Sequence, residues 1–191
     1  MSEQPATTGI DPALAAVLAQ AWALLARGRT DPAHGCHWPV LATVGLDGGA
    51  DARTVVLRAL DPARRELAVH SDARAGKLGQ LRAEARACLV FHDAPGRTQL
   101  RARGPIRSHV ADDAAARAWA TLAPHSRALY AGFERFALLR MRVTDLDWLL
   151  LDPAGHRRAR FHWSSAGGDD PARGSAAGKD DSPSEAAWID P

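Results

Sequence analysis

Ser71, Asp72, Arg74 and Lys77 fall in the stretch HSDARAGKLGQL, where a short strand gives way to a helical pattern. Two cations three residues apart share one face of a helix. A helix start is the positive end of its dipole and favours acids. Two cations and a hydroxyl are assets there only beside an anion, because a phosphate would accept from Arg74, Lys77, Ser71 and the free backbone N–H groups. The spacing therefore predicts an anion site at this strand–helix corner. Of 24 basic residues of the Lys and Arg type only Lys77 and Lys179 are lysines, which singles out a Lys kept at 77. Further arginines recur by alternation, which sends every second side chain of a strand to the same side. Arg97, Gln99, Arg101 and Arg103 share one face, opposite Thr98, Leu100 and Ala102 on the core side. In RRARFHW, Arg158, Arg160 and His162 stand opposite Ala159, Phe161 and Trp163. Taken singly, each of these arginines reads as solvated surface.

Other reactive residue types lack the company they need. HGCHW groups His34, Cys36 and His37, but no second cluster completes a tetrahedral site, so no metal is expected and Cys36 reads as buried. Cys88 in ACLVFH reads as a small core residue. Neither G-x-S-x-G nor G-x-x-x-x-G-K-[ST] occurs. Trp119, Leu122, Leu129 and Tyr130 read as packing, and His70 and His92 as the ends of neighbouring strands.

The elements that must position these residues follow from pattern. Asp11-Pro12 starts a helix in which Leu14, Val17, Leu18, Ala21 and Leu25 follow at helical spacing, with Gly28 as its end. From residue 38 the period becomes two: VLATVGL, ARTVVLRAL, RELAVH, ACLVFH and TQLRARGPIRSHV read as strands, with turns at DGGAD and Asp61–Arg64. The segment 74–86 reads as helix. ADDAAARAWATLAPHSRALYAG is helical with a break at Pro124, and ALLRMRVTDLDWLLL and RRARFHW flank a turn at Asp152–Gly155. Many short strands with a few inserted helices suggest an antiparallel barrel, and a sandwich fits the same pattern. The expected organisation is one domain over 1–163 with an N-terminal helix, a flexible loop over 164–183, and a segment 184–191 that docks back through Trp188. A chain of 191 residues, 46% hydrophobic, suffices for one core, and a net charge of +2 gives no basis for a nucleic-acid or membrane partner. Two cysteines and an N-terminus without a basic, apolar leader point to the cytoplasm.

Four of these segments resemble the pyridoxamine 5′-phosphate oxidase family, whose fold is an FMN-binding split barrel. ARTVVLR is similar to its R-x-V-L-L-K segment, with Arg53 first and Arg58 in place of the Lys. SDARAGK resembles the T-D-x-R-S-x-K of a broad branch, with Ser71, Asp72, Arg74 and Lys77 in register. TQLRARG resembles R-Q-V-R-x-x-G and aligns Gln99 and Gly104, while HRRARF stands where the family has R-L-H-D-R-F, with Arg160 on the second Arg. A terminal Trp-x-x-Pro adds to the order and spacing that make the likeness specific.

The resemblance implies a mainly β, antiparallel split barrel with inserted helices, homodimeric, with FMN at the interface. Arg53, Ser71, Arg74 and Lys77 would hold the phosphate. The backbone of Thr54, Val55 and Val56 would border the ring system, with Arg58 in the same segment, and Gln99 and Arg160 would reach the flavin. The implied activity is FMN-dependent oxidation or reduction of a small molecule, with pyridoxamine or pyridoxine 5′-phosphate as the named substrate. A flavin accepts the hydride itself, so no protein nucleophile is needed. The alternatives are a non-catalytic flavin- or haem-binding protein of the same fold, or a deazaflavin in place of FMN. The chain departs from the oxidase at several points: Gly76-Lys77 replaces Arg-Lys, RALYAG has no counterpart of its Gln-Ser pair, and Leu150 takes the position of its ring-contacting Trp, with Trp148 two residues away. His156 and Arg158 occupy the positions of the first Arg and the His that face substrate. Arg158 and Arg127 are therefore the substrate candidates.

Overall fold

The computed structural model describes residues 10–164 and 182–191. Asp11 caps helix α1 (Pro12–Thr30), its carboxylate accepting from the Ala13 N–H at 2.7 Å, and Pro12 occupies the first turn, where its missing donor costs nothing. Leu14, Val17, Ala21, Leu24 and Leu25 turn one buried stripe to the barrel. Gly28 does not end this helix, as its residue type suggests; the helix runs on for two residues. Glycine stands there for space, since a Cβ at 28 would lie 2.6 Å from the Cβ of Cys36. Cys36 is fully buried in the short turn Gly35–His37, and its thiol is pushed up to about 12, first by desolvation and then by the charge of Asp93. The HGCHW cluster is thus packing: His37 Nδ1 lies 2.7 Å from the Gly28 carbonyl.

Among the described residues ten strands form two antiparallel sheets that share one long strand. β1 (Val40–Val44) forms a hairpin with β2 (Ala50–Thr54), closed by Gly48 at φ 84°. ARTVVLRAL, which reads as one strand, is two. After Thr54 the Val55 N–H bonds the Pro39 carbonyl at 2.9 Å, and β3 (Leu57–Asp61) then enters the other sheet with a bulge at Arg58. β4 (Glu66–Asp72) pairs with β3 and with β7 (Phe136–Arg142). β5 (Arg86–Asp93) pairs with β1 and with β6 (Thr98–Val110). Residues 98–103 of β6 pair with β8 (Asp145–Leu150), whereas residues 106–110 pair with β7. β6 thus joins the sheets on one side, and the β2–β3 crossing joins them on the other, closing a barrel. β9 (Arg157–His162) and β10 (Glu185–Ile189) extend the larger sheet past β8. β10 brings Trp188 edge-on to Trp148, ring centroids 6.4 Å apart. The loop expected over 164–183 falls almost wholly outside the described residues.

The barrel interior takes Leu41, Leu57, Leu67, Leu89, Phe91, Leu100 and Phe161, all essentially without exposure. Cys88 is not among them: alternation along β5 sends Leu89 and Phe91 inward and leaves Cys88 half-buried on the outer face. Helix α2 (Gly76–Ala83) leads from β4 to β5, and α3 (Asp113–Ala120) and α4 (Pro124–Ala128) lie between β6 and β7, broken at Pro124 as expected. Trp119, Leu122 and Tyr130 pack there, but Leu129 is exposed. His70 and His92 are not on neighbouring strands, because β4 and β5 belong to different sheets.

Gly104 marks the point where β6 changes sheets. A Cβ there would collide with the Arg142 carbonyl, at the corner between β7 and β8. Gly104→Ala is therefore expected to cost about 1–3 kcal/mol through overpacking against backbone that cannot move aside. Thermal unfolding reads this directly, and an unchanged melting temperature would mean that the corner is free to shift.

Candidate functional site

Three elements converge beside the start of α2. β4 supplies Ser71, which is 5% exposed, and Lys77 Nζ donates to its hydroxyl at 3.0 Å. β2 supplies Arg53, which lies opposite Leu41 in the ladder. Its guanidinium donates to Thr43 Oγ1 at 2.6 Å, to Gln80 Oε1 at 3.0 Å and to Asp51, and Gln80 Nε2 in turn donates to Asp51 at 2.7 Å. Gln80 sits three residues after Lys77 on the same helix. The helix is thereby tied to Arg53, and the Lys77 ammonium is carried to the same corner.

Lys77 has no carboxylate within ion-pair distance among the described residues. Its pKa is lowered, first by burial and then by the Arg53 charge, with Asp72 opposing weakly. Arg74 behaves differently. It precedes α2, whose N-cap is Ala75, so it does not share a helix face with Lys77. Its backbone N–H and its guanidinium both bind Asp72, at 2.8 Å, 3.0 Å and 2.7 Å, and this holds the Asp72 carboxyl well below the usual carboxylate range. The cations that meet are Arg53 and Lys77, around Ser71, with Arg74 paired at the edge. Thr54, Val55 and Val56 form the crossing from β2 to β3, Thr54 exposed and the valines half-buried. Arg58 is not part of the corner; its charge acts on His70 and Tyr130.

A second arginine array lies on the outer face of the larger sheet. In register across β5, β6, β8 and β9, one row reads Val90, Arg101, Asp147, Arg160, and the next reads His92, Gln99, Leu149, Arg158. Asp147, 2% exposed, accepts from Arg101 at 2.7 Å and from Arg158 at 3.0 Å and 2.8 Å, with Arg160 at 3.8 Å. Desolvation pushes its carboxyl up, but the hydrogen bonds from Arg158 and Arg101 outweigh it and hold the group below its ordinary value. Sequence reasoning missed Asp147. The signal was there: DLDWLL alternates, and in an antiparallel sheet its acids must face the arginines of the flanking strands.

Neither substrate candidate joins the corner. Arg127 donates to the Trp119 and Ala120 carbonyls at 3.2 Å and 2.8 Å and stacks on the Trp119 ring, so it is tied to the end of α3. Arg158 is bound to Asp147. Trp148 is buried on the inner side, away from the face that carries Gln99 and Arg160.

With this geometry in place, the comparisons decide the family. The pyridoxamine 5′-phosphate oxidase family model matches residues 33–153. This chain belongs to that family. The pyridoxine/pyridoxamine 5′-phosphate oxidase of Azorhizobium caulinodans is 42% identical over 66 residues, a segment covering 35% of this chain and 30% of that relative. Among solved structures, a pyridoxamine 5′-phosphate oxidase-related, FMN-binding protein from Nostoc punctiforme superposes with TM-score 0.70 at 20% identity, covering 96% of this chain and all of the other. PhzG from Burkholderia lata, solved with tetrahydrophenazine-1-carboxylic acid, gives 0.60 at 14% identity over 96% and 98%. A haem-binding protein from Mycobacterium smegmatis gives 0.51 at 19% identity over 71% and 57%. At such identities these likenesses establish the fold, a mainly antiparallel split barrel, while their ligands remain their own. Among the described residues no helix is long and apolar enough to cross a membrane.

Proposed function

We propose that this chain binds FMN and acts as a flavin-dependent oxidoreductase on a small molecule, with the FMN phosphate at the Arg53–Ser71–Lys77 corner. The observation that carries this reading is Lys77: a half-buried ammonium, with no carboxylate within ion-pair distance among the described residues and depressed in pKa by its surroundings, is the residue a phosphate dianion would relieve. The donor set fits the group, with a guanidinium already aimed by Thr43, Asp51 and Gln80, one hydroxyl and one ammonium. Arg74 would add to it on releasing Asp72. Bound FMN supplies the hydride-accepting chemistry. The protein binds and orients: the backbone of Thr54–Val56 borders the ring system, and Gln99 and Arg160 reach it from a second copy of the chain across the outer face. Arg58 instead lines a groove together with His70. A cytoplasmic homodimer, without nucleic-acid or membrane partners, is part of the same proposal.

Pyridoxamine and pyridoxine 5′-phosphate are the first substrates to try, given the Azorhizobium relative. A second reading, a non-catalytic flavin- or haem-binding protein, is favoured by the fixed Arg127 and the buried Trp148, which leave the substrate side thinner than the cofactor side.

The purified protein is expected to show a flavin absorption spectrum, to release FMN on denaturation, and to bleach when pyridoxamine phosphate is added without oxygen. FMN without bleaching by any candidate substrate supports the binding protein. A colourless protein that also fails to take up added FMN overturns the proposal.

A further inference from the structure

Every polar atom in the ring that joins Arg53 to α2 has a single possible role, because arginine only donates and a carboxylate only accepts. Gln80 Oε1 accepts from Arg53 at 3.0 Å and from the Thr43 hydroxyl at 2.8 Å, while Gln80 Nε2 donates to Asp51 at 2.7 Å. Thr43 can give its proton to Gln80 because its oxygen accepts from Arg53 Nη1 at 2.6 Å. Turned over, the amide would set its NH2 against the guanidinium and its oxygen against the carboxylate. The ring also occupies the arginine fork. Nη1 donates to Thr43 and, at 3.4 Å, to the Leu41 carbonyl, and Nη2 donates to Asp51 and Gln80, so four of the five guanidinium N–H groups are engaged. The Nε–H edge and the positive charge are what Arg53 keeps for an anion. Charge follows the same logic. Arg53, Lys77 and Arg74 stand against Asp51 and Asp72, which leaves the corner one net positive charge only because position 80 is an uncharged amide. That amide is also the first cause holding the Asp51 carboxyl below its ordinary value, with Arg53 adding to it against desolvation.

We propose that Gln80 is a positioning residue that makes this corner selective for a phosphate group: it holds Arg53 by both amino groups, so that the Nε–H edge and the charge serve the anion, and its own neutrality keeps the corner cationic. A carboxylate at position 80 would face the Asp51 oxygen at hydrogen-bond distance with no proton between them, and it would cancel the net charge. An alkyl chain would keep the charge but leave Arg53 free to close on Asp51 alone. An uncharged side chain that accepts and donates at once satisfies both sides. The role of Gln80 toward FMN rests on the flavin reading above, whereas its role toward inorganic phosphate does not.

The test is a fluorescence titration of the full chain, of Gln80→Glu and of Gln80→Met with FMN and with riboflavin, which lacks the phosphate, with melting curves to check the fold. At about pH 8, Gln80→Glu is expected to weaken FMN binding about tenfold or more, the scale of one charge added beside the site, and to change riboflavin binding by less than about threefold. As pH falls, the introduced carboxyl takes up a proton and can donate to Asp51 as the amide does. Its deficit against the parent at the same pH is therefore expected to narrow by about pH 5, a comparison in which the titration of the phosphate itself cancels. Gln80→Met is expected to weaken FMN binding with a deficit that pH does not narrow. The inference is overturned if both variants bind FMN within about twofold of the parent, or if the Gln80→Glu deficit is independent of pH or equally large for riboflavin, as a merely structural loss would be; the flavin reading survives each of these results. If the parent takes up no FMN, the flavin reading falls, and inorganic phosphate is titrated instead against the Arg53 Nε–H signal in nitrogen-15 spectra. A saturable shift that weakens in Gln80→Glu then supports the role of Gln80, and no shift in the parent overturns it.

Discussion

Replacing Arg53 and Lys77 together by Ala is expected to weaken FMN binding by about 10²- to 10⁴-fold. In the proposed site each would contribute a charge-assisted hydrogen bond to the phosphate, worth about 1.5–3 kcal/mol, and 1.4 kcal/mol is a factor of ten. The fold is expected to survive. Lys77 by itself is a cost to the corner, because burial and the neighbouring Arg53 both disfavour its charge. Losing Arg53 leaves Asp51 partly exposed and still bound by Gln80. Arg74→Ala alone is expected to cost less than about tenfold, because Arg74 is 65% exposed and must first break its pair with Asp72. Quenching of FMN fluorescence measures the affinities, and parallel melting curves check the fold. A double variant that melts normally and binds FMN within fivefold of the parent would place the phosphate elsewhere on the chain.

The corner was legible in SDARAGK because it rests on local chemistry, and the sequence already named Ser71 and Lys77. Its internal division was not. Whether Arg74 enters the helix depends on where the first turn begins, and Asp72 settles that by holding the Arg74 N–H outside it. The partners of Arg53 were invisible for a different reason: Thr43 and Gln80 lie ten and 27 residues away, and only strand register and helix placement unite them. Alternation found the arginine face of β6 and β9, and burial along both strands follows it. The break in ARTVVLRAL escaped it, since two valines between Arg53 and Arg58 look like any buried strand. Barrel closure, a property of the whole ring of strands, decided that break. The Gly28 error is of the same kind: a glycine that suits a helix end was kept for a close approach from Cys36.

Asp147→Ala is expected to destabilise the protein by about 3–5 kcal/mol, the usual cost of removing one partner from a buried charge cluster. At about 2–4 °C per kcal/mol for a chain of this size, the melting temperature would fall by about 6–20 °C. Three guanidinium groups would then face one another across β6, β8 and β9 with no counter-charge, and Arg101 Nε is already buried without a partner. Replacing Arg101 and Arg158 by Met in the same variant is expected to recover part of the loss, since apolar groups of similar size need no counter-ion. The pH dependence follows from the lowered carboxyl. A group with a depressed folded pKa contributes its stability above its unfolded pKa, about 3.9, and loses it as pH falls through the lower folded value. The parent should therefore keep this contribution at pH 5 and shed it only in stronger acid, whereas Asp147→Ala should show a shallower acid limb. If Asp147→Ala melts within 2 °C of the parent, the cluster is held by solvent and the sheet alone, and Arg158 and Arg160 would be free to move without it.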